Sequence, residues 1–107
     1  MSKFFDFIEI GTSDFDALIQ VADEKTIGLS IDAVPAYLDR LPSQAGCIKL
    51  NAGISDRDGE TEVFFVSPHA IRAHGLPDWV RGCSTIGRPH PTVLALLDAM
   101  KLPLAIV

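Results

Sequence analysis

The chain has 107 residues, about one small domain, with 48% hydrophobic and 21% charged residues, a globular composition. Its formal net charge of -5 disfavours nucleic acid and anionic membrane surfaces as partners, since both would be repelled, and points to a small molecule or another protein.

Residues 4 to 10, "FFDFIEI", are aromatic and β-branched and predict a strand that Gly11 stops. From Asp14 to Ala22, "DFDALIQVA" places Phe15, Leu18, Ile19 and Ala22 at helical spacing, so a helix capped by Ser13 or Asp14 is expected. "IGLSI" (27 to 31) is a second strand ending at Asp32, and "VPAYLDRL" a second helix with Pro35 in its first turn. "CIKLNAGI" (47 to 54) is a third strand. The Asp58-Gly59 pair after it predicts a tight turn into a fourth, "ETEVFFV", as an antiparallel hairpin.

Beyond this the signal weakens, because residues 68 to 91 hold four of the seven prolines and three of the eight glycines. A short helix over "HAIRAH" and a long loop are expected there. "TVLALLDAM" returns to helical spacing, and the terminal "LPLAIV" looks like a strand with nothing after it. The order of elements predicts an α/β fold: a Rossmann-like, doubly wound and mostly parallel sheet in a single domain over residues 1 to 107, with an added hairpin.

A strand that ends in glycine and feeds a helix makes a pocket for polar groups. An adenosine-type site also needs an acid about 20 residues on, at the tip of the next strand, and Asp32 follows Gly11 by 21 residues. The full G-x-G-x-x-G is absent, since Ser13 and Asp16 hold its later glycine positions. Acids at 14 and 16 would repel a pyrophosphate, so a cationic ligand without phosphates suits the turn. S-adenosylmethionine is one: its sulfonium and amino group tolerate Glu9, and its ribose needs an acid such as Asp32.

Four segments, "FIEIGTSDFD", "GLSIDAVPAYLDRLP", "NAGISDRDGETEVFFV" and "LPDWVRGCSTIGRPHPTV", resemble in order and spacing the N-terminal half of the FkbM-type methyltransferase family. The resemblance implies a class I methyltransferase fold and S-adenosylmethionine as cofactor. Glu9, Gly11, Thr12 and Ser13 would cradle its methionine part, Asp32 its ribose and Ala33 its adenine, with Ser55 near the adenine edge. It also implies methyl transfer to a hydroxyl of a small-molecule acceptor, often a sugar or natural product. The family continues with a strand ending in Asp-x-Glu-Gly that this sequence lacks, so an incomplete sheet is expected. The expectation is a fragment, a split gene product, or a chain that completes its sheet by pairing with a missing C-terminal half or with a second copy of itself. The competing expectation is a non-catalytic α/β module that pairs through an exposed sheet edge.

Other motifs carry less. Cys47 and Cys83 are expected as free thiols in a cytoplasmic protein. His69 and His74 are five apart and do not share a helix face as a zinc pair would, so no metal is expected, and the sequence singles out no catalytic base among its histidines. "DRDGE" lacks the distal glutamate of a calcium loop. Trp79 and Arg81 lie in a loop where an aromatic anchor is the ordinary role.

Overall fold

The computed structural model describes residues 4 to 107. The chain divides into two compact units, Met1–Asp56 and Arg57–Val107. It is α/β, with a three-stranded parallel sheet in the first unit and a two-stranded antiparallel pair in the second.

In the first unit β1 (Phe7–Ile10), β2 (Gly28–Asp32) and β3 (Cys47–Asn51) pair in the order β1-β2-β3, with β2 central. Register aligns Phe7 with Gly28 and Cys47, and Glu9 with Ser30 and Lys49. Aligned residues of neighbouring strands share a face. One face therefore carries Phe7, Glu9, Gly28, Ser30, Asp32, Cys47, Lys49 and Asn51. Both connections cover it: Ala17 and Ile19 from the first, Leu38 and Leu41 from the second, form one buried cluster with Phe7 and Cys47 against them. The Phe7 ring lies over Gly28, where a Cβ would overlap it.

The first connection is not the helix expected over 14 to 22. Ser13 and Asp16 have φ of 51° and 52°, a left-handed conformation that a right-handed helix cannot include. Only a 3-10 turn forms, Leu18–Val21, closed by Ala17 N–H donating to Gln20 Oε1 at 2.7 Å. The second connection holds the expected helix, α1 (Pro35–Leu38), a single turn with Pro35 at its first position.

In the second unit β4 (Val63–Phe64) pairs with β5 (Thr85–Ile86), so the hairpin expected from β3 does not form. The residues flanking Asp58-Gly59 are polar and exposed, and a ladder there would bury no apolar face. Two helices follow one plan. In α2 (Pro68–Ala73) Ser67 Oγ caps Ala70 N–H at 3.0 Å; in α3 (Pro91–Ala99) His90 Nδ1 accepts from Thr92 N–H at 3.1 Å. Each ends on a left-handed residue, Gly75 (φ 62°) or Lys101 (φ 56°), followed by a leucine bonded back into the helix, Leu76 to Ile71 O and Leu102 to Leu97 O, both at 2.9 Å. This is the Schellman ending, and it turns each leucine inward. Pro77 and Pro103 then open 3-10 turns, Asp78–Gly82 and Leu104–Ile106. The expected terminal strand is thus a 3-10 turn, and Leu102, Ile106 and Val107 pack on the core of Val66, Ile71, Leu76, Val80, Val93 and Leu97. Pro103 has no N–H to give a ladder, and the preceding reversal at Lys101 points the tail back onto its own helix.

Candidate functional site

The candidate site lies where the parallel strands of the first unit end. β1 stops at Gly11, whose φ of 76° suits glycine, and a Cβ built there would meet nothing within 4 Å, so the space beside it is open. Gly11 N–H and Thr12 N–H both donate to Ile31 O, at 2.7 and 3.3 Å, fastening the turn to the end of β2.

Asp32 closes the arrangement. Its Oδ2 accepts Ser13 N–H at 2.7 Å and its Oδ1 accepts Val34 N–H at 2.8 Å, so one carboxylate ties the β1 turn to the start of α1. The residue is 7% exposed. Its own carbonyl accepts Ala52 N–H at 3.1 Å and Asn51 Nδ2–H at 3.0 Å, which draws in the end of β3. The two bonds to the carboxylate are short and charge-assisted.

The structure thus brings Gly11, Thr12, Ser13, Asp32 and Ala33 to one sheet end. Thr12 and Ser13 are buried, with Thr12 Oγ1 donating to Ser13 O at 3.0 Å, and Ala33 is half-buried. Glu9 sits one step earlier, on the covered face, its two oxygens accepting Leu18 N–H at 3.3 and 3.4 Å. Ser55 is exposed beyond the end of β3, its hydroxyl donating to Asp56 Oδ1 at 3.2 Å. Sequence reasoning did not single out Asn51; a polar residue at the tip of a third strand was the available signal. Asp14, expected as a helix cap, is instead 2% exposed in its side chain and lies 2.8 Å from Arg40 Nε.

The chemistry of the turn follows from its donors. The N–H groups of Gly11, Thr12 and Ser13 are all engaged within the protein, so the turn offers no cluster of free donors for a phosphate, and a carboxylate stands where such an anion would sit. A carboxylate has about four acceptor positions, of which two N–H bonds use two, leaving capacity for hydroxyl donors. Among the described residues no group of three His, Cys, Asp or Glu could hold a metal ion, Cys47 and Cys83 are free thiols, and no helix is long and apolar enough to cross a membrane.

Comparison with protein-family models, with curated proteins and with solved structures finds no match for the chain.

Proposed function

We propose that this chain is the S-adenosylmethionine-binding portion of a methyltransferase of the FkbM type, acting on a hydroxyl of a small-molecule acceptor such as a sugar or natural product. The observation that carries the reading is the internally satisfied turn with Asp32 at its centre. It disfavours phosphate and leaves acceptors for a ribose diol. In this reading Asp32 holds the ribose, Ala33 and Ser55 border the adenine, and Glu9, Gly11, Thr12 and Ser13 surround the methionine part. The negative charge of Glu9 favours a sulfonium and an amine over a carboxylate or phosphate in the same place. The bound cofactor supplies an activated methyl group; the protein's part is to orient it, which requires an acceptor oxygen in line at about 3 to 3.5 Å.

Isothermal calorimetry of the folded chain with S-adenosylhomocysteine, against ATP and NAD as phosphate-bearing controls, tests the reading. Binding of S-adenosylhomocysteine alone is expected. Silence at millimolar ligand, or equal binding of ATP, refutes it.

The non-catalytic reading, a module that pairs through a sheet edge, has its own support. Among the described residues β1 and β3 each pair only with β2, so both outer edges carry ladder groups available to another strand. A concentration-independent monomer in sedimentation equilibrium would remove its self-pairing form.

A further inference from the structure

The second face of the three-stranded sheet is aliphatic throughout. Register places Ile8 with Leu29 and Ile48, and Ile10 with Ile31 and Leu50, on the side away from both connections. Ile8 is 57%, Ile10 59%, Ile48 55% and Leu50 45% exposed, around a half-buried Leu29 and a buried Ile31. Soluble sheets with one open face put polar residues on it. Here the polarity is inverted: Glu9, Ser30, Asp32, Lys49 and Asn51 are on the covered side. A contiguous uncharged face of this kind marks an interaction surface rather than a solvated one.

Two observations select the occupant. Parallel strands are covered on both faces by helices in nearly all folds that contain them. Three strands at about 4.8 Å spacing present a strip wide enough for one helix of about 10 Å diameter. The second observation is charge. Met1–Asp56 contains four Lys and Arg against nine Asp and Glu, while Arg57–Val107 contains five of each, so the whole net charge of -5 belongs to the unit that carries the face. A second copy would bring a further -5 to the encounter; a basic partner would be steered toward it.

We infer that this face docks an amphipathic helix of a partner protein, one with an aliphatic stripe flanked by Lys or Arg. The inference stands apart from the cofactor reading, because no residue of the aliphatic face belongs to the candidate site.

The test uses fluorescence anisotropy of labelled helical peptides with the full chain. A Leu/Lys peptide with leucines at helical spacing is expected to bind, and a Leu/Glu peptide with the same stripe is not. Ile10→Thr with Ile48→Thr keeps the β-branch and adds no charge; it should weaken Leu/Lys binding about tenfold or more, given the apolar area removed. A Ser/Lys peptide, equal in charge but lacking the stripe, should not bind, and this arm needs no variant to fold. The inference is overturned if the Ser/Lys or Leu/Glu peptide binds as tightly as Leu/Lys, or if the double variant, folded by circular dichroism, binds unchanged. It is equally overturned if the chain alone sediments as a dimer that the double variant abolishes, which would make the occupant a second copy.

Discussion

Replacing Asp32 tests the site and the fold together. In the native protein its two carboxylate oxygens accept backbone N–H groups 19 residues upstream and two residues downstream, at 2.7 and 2.8 Å, at a position only 7% exposed. Hydrogen bonds to charged groups contribute about 1.5 to 3 kcal/mol each, and a buried donor left without a partner costs its desolvation as well. Asp32→Ala removes both acceptors and should cost about 4 kcal/mol, a large share of the roughly 5 to 15 kcal/mol that holds a typical domain. Asp32→Asn keeps one acceptor oxygen but turns an amide NH2 toward the other N–H, so it should cost about 2 kcal/mol. Urea unfolding followed by circular dichroism gives both values from the midpoints at a common slope. The expected order is wild type, Asn, Ala, each step about 2 kcal/mol. A midpoint for Asp32→Ala within about 1 kcal/mol of wild type would refute the view that this carboxylate staples the turn. The same numbers govern the ligand experiment. Loss of S-adenosylhomocysteine binding in Asp32→Asn speaks for the ribose assignment only where that variant is shown to be folded, and unchanged affinity there would sink it.

Gly28→Ala places a methyl in the ring of Phe7 and should destabilise by about 2 kcal/mol, with Phe7→Leu relieving about half of it in a double-mutant cycle; additive effects would show that the two do not touch. Ser30 is fully buried and its hydroxyl has no hydrogen-bond partner among the described residues, so Ser30→Ala should stabilise by about 1 kcal/mol in thermal unfolding, and a clear loss of stability would reveal a bound water at that hydroxyl. Lys101→Gly relieves a left-handed residue at the end of α3 and should raise stability by about 1 kcal/mol in the same assay; no gain would mean that Lys101 makes an offsetting contact. Asp23 accepts Lys25 N–H at 2.8 Å and Thr26 Oγ1–H at 3.1 Å, and these bonds hold its pKa below the ordinary aspartate value. Its contribution is therefore present above that value and lost as pH falls through the lower folded pKa. Carbon-13 NMR should show Asp23 titrating below the ordinary aspartate value, and a midpoint at or above it would refute the pairing.

The parallel core was legible because its strands are short apolar runs, each closed by a residue with a clear role: Gly11, Asp32 and the polar stretch after Leu50. The pairing of Gly11 with Asp32 at one sheet end was legible for the same reason. What failed was set at long range. The stripe of Phe15, Leu18, Ile19 and Ala22 satisfies helical spacing, yet the conformation of Ser13 is fixed by a carboxylate 19 residues away, and no window of local sequence contains it. The tail "LPLAIV" has a strand's composition, but the left-handed turn at Lys101, a residue with no intrinsic preference for it, redirects the chain. The chain bends at residues 56 to 59, but Asp58-Gly59 lacks the apolar flanks that would make a hairpin there.

The inverted polarity of the sheet has a physical cause in the shortness of its connections. One 3-10 turn and one turn of α-helix bring few side chains to the sheet: Ala17, Ile19, Leu38 and Leu41 cluster with Phe7 and Cys47, and Val34 and Tyr37 are buried completely. Polar side chains on the covered face add to the fastening. Glu9 accepts Leu18 N–H from the first connection, Lys49 Nζ donates to Leu41 O at 2.6 Å at the end of the second, and Asp32 grips the start of each. Such bonds fix geometry well but contribute little net free energy each, since water satisfies the same groups in the unfolded chain. A further apolar term is available on the aliphatic side, where Ile8, Ile10, Ile48 and Leu50 are still about half open to solvent. A partner that covers that side adds stability to the unit whose strand ends carry the candidate site. Under the proposed docking, binding at the aliphatic face would also steady the Gly11–Asp32 turn, because any ligand of the folded state raises the cost of opening it.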